Sequence, residues 1–130
     1  MTTEIFALCD RVRETGLKLH GYLRHGHVEK VYENGLAHRL RKAGMRVEQQ
    51  VPIKVYDEDG TELGSFAADL LVEGILIVEL KACKSVADEH VSQILGYLRA
   101  TRMEHGLLIY FGAPQFQIKK YVLSDPVPAS

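Results

Sequence analysis

Asp69, Glu79 and Lys81 are the residues of this 130-residue chain whose types and spacing could do chemistry together. Asp69 lies near the end of one apolar run, and Glu79-Leu80-Lys81 closes the next. On a strand, side chains alternate between faces, so Glu79 and Lys81 project to one side while Leu80 turns into the opposite layer. Carboxylate oxygens are the preferred ligands of hard divalent cations such as Mg²⁺, and a neighbouring ammonium can orient or polarise a water beside a phosphate. The chemistry this points to is metal-assisted phosphodiester hydrolysis. Without a cation the two carboxylates repel, which raises the pKa of at least one unless Lys81 offsets the pair. Taken alone, an acid-x-lysine pair is also a common surface ion pair. Its place at the end of a strongly apolar strand, with a second acid in the preceding run, favours a site.

These residues need elements to position them. Ile5, Cys9, Val12, Gly16 and Leu19 recur at helical spacing from Thr3, a reasonable N-cap, to about Gly21. Val28, Tyr32, Leu36, Leu40 and Ala43 predict a second helix, closed by Gly44. From Met45 to Val55 the period becomes two, a strand with one buried face, and Pro52 assigns it to a sheet edge. Asp57-Glu58-Asp59-Gly60 turns the chain into a strand that contains Asp69 and ends at Val72. The continuous apolar run Ile75 to Lys81 predicts a central strand covered on both faces. A strict two-residue loop at Glu73-Gly74 would set Asp69 opposite Val78 and turn it away from Glu79. A shared site therefore requires a three-residue connection or a bulge near Asp69. A helix from about Ala87 to Thr101, a buried strand from Gly106 to Phe111 and a last strand from Gln117 to Leu123 complete the order. The expected fold is α/β in the α+β sense, a mixed sheet flanked by helices. Residues 1–123 are read as one domain and residues 124–130 as a mobile tail.

Composition narrows the function classes. A chain this size buries roughly two thirds of its unfolded surface, enough for a self-supporting core. Cys9 and Cys83 form no Cys-x-x-Cys pair, so neither a disulfide framework nor a cysteine zinc site is expected. No apolar run approaches the ~20 residues of a membrane span, and the expected location is cytoplasmic. Net charge is −1, but residues 1–50 hold nine Lys/Arg against six Asp/Glu. Phosphate contact is thus expected from the N-terminal part, or those residues are simply solvated helix faces. His25-Gly26-His27, with His20 and His38, lacks the spacing of a zinc motif and reads as an exposed or phosphate-contacting loop. His90 reads as a helix-surface residue and His105 as a strand start.

The chain resembles the small GxxExxY family of the PD-(D/E)XK nuclease superfamily. The naming motif stands as Gly26-His27-Val28-Glu29-Lys30-Val31-Tyr32, followed by Glu33; the strand acid is Asp69, the acid-x-lysine element Glu79-Leu80-Lys81, and Gln93 and Tyr97 form a further pair. The similarity runs from about Phe6 to Leu123, and the order and spacing of the motifs together carry it. The resemblance implies a restriction-endonuclease-like core and Mg²⁺-dependent cleavage of nucleic acid, DNA foremost, with Mn²⁺ as a substitute. It implies that Asp69 and Glu79 ligate metal, with the Leu80 carbonyl as a further ligand, and that Lys81 positions the attacking water. Glu33 matches a helix acid that joins the site and its metal. Gln93 and Tyr97 would orient Lys81 or the substrate. Two departures stand out: Ala67 replaces the arginine common two residues before the strand aspartate, and Leu23-Arg24-His25-Gly26 replaces Leu-Gly-Pro-Gly.

The expected activity is therefore a metal-dependent nuclease working with a protein partner or as a homodimer. One alternative is a homodimeric junction-resolving endonuclease. Another is a weak or inactive nuclease-fold module that binds nucleic acid or protein, which Ala67 and the mildly acidic charge favour. Tyr32 is expected to pack, with its hydroxyl on a polar partner.

Overall fold

Helical spacing of apolar residues becomes two packed helices, α1 (Thr2–Leu23) and α2 (Glu29–Lys42), in a computed structural model that describes residues 2–123. α1 buries Ile5, Leu8, Cys9, Val12 and Leu19, and α2 buries Tyr32, Leu36, Ala37 and Leu40. Thr3 falls within the first turn of α1 rather than at its cap. Gly44, at φ +93°, ends α2 with its N–H on the Arg41 carbonyl, a backbone state that favours glycine. The expected tail, 124–130, lies outside the described residues.

Five strands follow, β1 (Val47–Tyr56), β2 (Glu62–Val72), β3 (Leu76–Lys81), β4 (His105–Tyr110) and β5 (Gln117–Val122), with α3 (Asp88–Thr101) between β3 and β4. They form one mixed sheet in sequence order, antiparallel except for the β3–β4 pair that α3 connects. β1 is an edge, as Pro52 requires, and β3 is central and buried along most of its length. α1 and α2 cover one face through a core that includes Leu70, Leu80 and Ile109; α3 covers the other through Ile77, Tyr97, Leu98 and Ile94. This is the expected mixed sheet flanked by helices, consistent with a restriction-endonuclease-like core. His90 departs from expectation: it is half-buried, with Nδ1 2.9 Å from the Tyr110 hydroxyl. His105 does open β4.

The β2–β3 register pairs Leu70 with Val78 and Val72 with Leu76, so the connection holds three residues, Glu73 to Ile75. Glu73 and Gly74 both take positive φ, +53° and +69°. The odd-length turn is what the shared-site argument demanded.

The segment after Lys81 is held by the end of β4. Phe111 N–H donates to the Lys81 carbonyl at 2.9 Å, and Gly112 N–H donates to the Cys83 carbonyl at 3.2 Å. A Cβ on Gly112 would lie 2.1 Å from the Ala82 carbonyl oxygen, a backbone atom with no room to retreat. Gly112→Ala is therefore expected to cost at least about 1–3 kcal/mol, read as a lower urea midpoint. Gly21→Ala is the control: nothing lies within 4 Å of a Cβ there, and alanine in a helix is expected to stabilise by about 0.5–1 kcal/mol.

Candidate active site

Continued by one step, the β2–β3 register sets Asp69 across from Glu79. At this level side chains take up backbone groups. Asp69 N–H donates to Glu79 Oε1 at 3.3 Å, and Leu80 N–H donates to Asp69 Oδ2 at 2.9 Å. The Asp69 carboxyl lies beside that of Glu79, close enough for its charge to act on it. Glu79 is 3% exposed, and burial followed by the charge of Asp69 pushes its pKa up to about 9.

On the other side of Asp69, β1 is irregular at the same level. Gln49 pairs with Leu70 and Val51 with Ala68, leaving Gln50 facing Asp69 with φ +53°. Both strands change faces here. Val47 and Leu70 pack in the α1/α2 core, whereas Ile53 and Ala68 pack in the α3 core, although regular alternation would keep each strand's pair on one face. As a result adjacent glutamines reach the same acid. Gln49 Nε2 donates to Glu33 Oε2 at 2.7 Å, and Gln50 Nε2 donates to Glu33 Oε1 at 2.7 Å and to Asp69 Oδ1 at 3.3 Å. Lys30 Nζ adds a bond to Glu33 Oε2 at 3.1 Å. Glu33 is thus buried and joined to Asp69 through Gln50.

At the far end of β3, Lys81 Nζ donates to Gln93 Oε1 at 2.8 Å, and Tyr97 stands one turn further along α3 from Gln93. Burial, then the charge of Glu79, raises the Tyr97 phenol pKa. α2 contributes a second acid. Glu29 Oε1 accepts the Ala82 N–H at 3.3 Å, and its pKa is raised by burial, then by Asp69, with Lys81 opposing. The structure therefore gathers Asp69, Glu79, Leu80, Lys81, Gln93 and Tyr97 in one place, with Glu33 one link away. Among the described residues, no three His, Cys, Asp or Glu side chains converge closely enough to hold a metal by themselves.

Residues 7–121 match the PD-(D/E)XK nuclease superfamily. The chain belongs to that superfamily. No curated protein matches it. Among solved structures, the crystal structure of SSO0001 superimposes with a TM-score of 0.55 at 19% identity, over 72% of this chain and 50% of that one. That likeness is one of fold, and the chain spans about half the length of SSO0001.

In this superfamily member, several residues that composition offered for phosphate contact are engaged internally. Arg11 donates to the Ala43 carbonyl at 3.0 Å, and Arg41 donates to the Val47 carbonyl at 2.8 Å and to Gln49 Oε1 at 3.1 Å. Arg41 thereby orients the glutamine that holds Glu33. His20 is buried, its Nε2 2.8 Å from the Ala113 carbonyl oxygen, whereas His25, His27 and His38 are exposed. Tyr32 is fully buried and stacks on Phe111 at 4.5 Å; its hydroxyl donates to the Arg24 carbonyl and accepts the His27 N–H, bracing the loop before α2. Among the described residues, no helix is long and apolar enough to cross a membrane.

Glu29, Gln49 and Gln50 were not anticipated as site residues. Glu29 had a signal: it is the glutamate of the naming motif and lies four residues before Glu33, on the same helix face. Gln50 had none, because strict alternation assigns adjacent residues to opposite faces.

Proposed function

We propose that this chain is a metal-dependent nuclease of the GxxExxY type that hydrolyses phosphodiester bonds in nucleic acid, DNA foremost. The observation that carries the reading is the pairing of Asp69 with the buried Glu79, cross-tied through backbone N–H groups beside a lysine aimed by Gln93. Two acids held side by side, one of them buried, are poised to take up a cation. The donor set is all oxygen, and one or two carboxylates completed by waters and substrate phosphate is the usual environment of Mg²⁺. Asp69, Glu79 and the Leu80 carbonyl would hold Mg²⁺, or Mn²⁺ in its place. When bound, the cation supplies charge compensation on the phosphoryl oxygens and a more acidic water.

Lys81 orients the attacking water and offsets charge developing on the phosphate. Gln93 fixes the lysine ammonium, with Tyr97 one turn further along α3. Gln50 positions the Asp69 carboxylate, and Glu33, held in turn by Gln49 and Lys30, keeps Gln50 in place and would join the site when the cation is bound. Two free cysteines, one buried and one exposed, fit a reducing compartment such as the cytoplasm. A homodimer or a larger complex would extend the surface available for recognition.

The protein with Mg²⁺ or Mn²⁺ is expected to cut DNA, and Lys81→Ala to lower the rate about 10²–10³-fold. Absence of cleavage of any DNA or RNA substrate with either ion overturns the reading. Tight nucleic-acid binding without cleavage would favour the non-catalytic module, for which Ala67 in place of an arginine is the supporting feature. Equal rates on branched, single-stranded and duplex DNA would exclude a junction-specific enzyme.

A further inference from the structure

A groove of about 1010 Å³ opens beside Gln93 and Tyr97 and runs between α3 and the β1–β2 hairpin. Its hairpin wall carries Tyr56 and Phe66, which are 56% and 51% exposed. Phe66 leans on Tyr97, with ring centroids 6.0 Å apart, so the exposed ring is supported from behind by a site residue. Two half-exposed aromatic rings in a concave surface continuous with the site fit planar, apolar ligand faces.

Lys54 and Arg102 also line the groove. The Lys54 ammonium is 3.6 Å from Glu62, and both partners are about half exposed, so that pair is weak and exchangeable for a phosphate. Asp57 and Glu58 line the groove as well, so the rings rather than net charge carry most of the recognition. Gly96 adds a separate observation. It sits in the middle of α3, where glycine is unfavourable, yet a Cβ there would meet nothing within 4 Å. Internal packing does not demand glycine at this position. A bare helix backbone leaves space in the groove for a ligand.

We infer that this groove binds an unpaired nucleic-acid strand, its bases stacked on Phe66 and Tyr56, and leads it to Lys81 and Gln93; the inference rests on the nuclease reading of that site. Bases inside a duplex stack on one another and offer no free faces to side chains, whereas an unpaired strand offers every one. The groove thereby selects single strands, tails or melted ends over intact duplex.

The test is fluorescence anisotropy on the full chain in EDTA, using labelled oligo(dT), oligo(U) and a blunt DNA duplex. The wild type is expected to bind at least one of the single strands more tightly than the duplex. Phe66→Ala and Tyr56→Ala are each expected to weaken that binding by about 10-fold, with Phe66→Trp retaining it. Gly96→Leu, which fills the groove from the helix side, is expected to weaken binding comparably while the thermal midpoint is held. Duplex bound as tightly as both single strands overturns the inference, as does a Phe66→Ala/Tyr56→Ala double variant that keeps the wild-type midpoint and affinity. Because binding is read without metal, the two readings separate. Strand binding lost in the ring variants, in a protein that never cleaves, removes the nuclease and keeps the groove; cleavage with binding indifferent to the rings does the reverse.

Discussion

Asp69→Asn is expected to lower Mg²⁺-dependent cleavage by about 10²–10³-fold or more, the scale on which single electrostatic groups at a reacting phosphate act, while leaving the protein folded. The substitution is close to isosteric. The side-chain carbonyl of asparagine can still accept the Leu80 N–H that Asp69 Oδ2 holds at 2.9 Å, so the β2–β3 junction keeps its fastening. What is lost is the charge and one cation-binding oxygen. The metal-free protein should melt at the same temperature or higher, because the charge that repels Glu79 is gone. The measurement is paired: initial cleavage rates with Mg²⁺, and Mg²⁺ affinity by titration calorimetry. Wild-type rates in the asparagine variant would falsify the proposed site; loss of both rate and thermal midpoint would mean only that the junction had come apart, and Asp69→Ser would then separate folding from charge.

The parts of this fold that follow from one-dimensional periodicity were readable in the chain. Helical spacing located α1, α2 and α3, and the apolar run before Glu79 identified a central strand. The alternation of Met45 to Val55, broken by Pro52, marked β1 as an edge. The turn was narrowed to two forms, a three-residue connection or a bulge near Asp69, and three residues do join Val72 to Leu76. The failures occur where a tertiary contact overrides the local period. Gln50 adopts φ +53° in the midst of a strand, and the flip of both strands at Gln50 and Asp69 has no trace in residue type. That flip brings two adjacent glutamines to Glu33, converting an apparently solvent-facing helix acid into a buried one. The basic residues show the same limit. Arg11 and Arg41 raise the positive charge of the N-terminal part, yet their guanidinium groups, though exposed, already donate to backbone carbonyls. Charge composition counts groups without saying which are already spoken for.

Glu79→Gln is expected to abolish cleavage and, in the absence of metal, to make the protein more stable at pH 8. The cause lies in the proton. Burial and Asp69 raise the Glu79 pKa from 4.5 to about 9, so between these values the folded chain holds a proton that the unfolded chain has released. Stability therefore falls as pH rises, by up to about 1.4 kcal/mol per unit across that window. The favourable contribution is complete below pH 4.5 and is lost as pH climbs toward 9. Glutamine keeps an oxygen to accept the Asp69 N–H and does not titrate. The wild type is expected to lose about 2–4 kcal/mol between pH 5 and pH 8 relative to the glutamine variant, read as diverging urea midpoints. Glu29, whose pKa is also raised, slopes the same way in both proteins and largely cancels from the difference. Mg²⁺ should reverse the order at pH 8. By displacing the proton it stabilises the wild type by mass action, while the variant, short of one charged ligand, gains far less. Parallel pH profiles for the two proteins in EDTA would show that Glu79 is already ionised in the fold. Mg²⁺ would then bind without displacing a proton from Glu79.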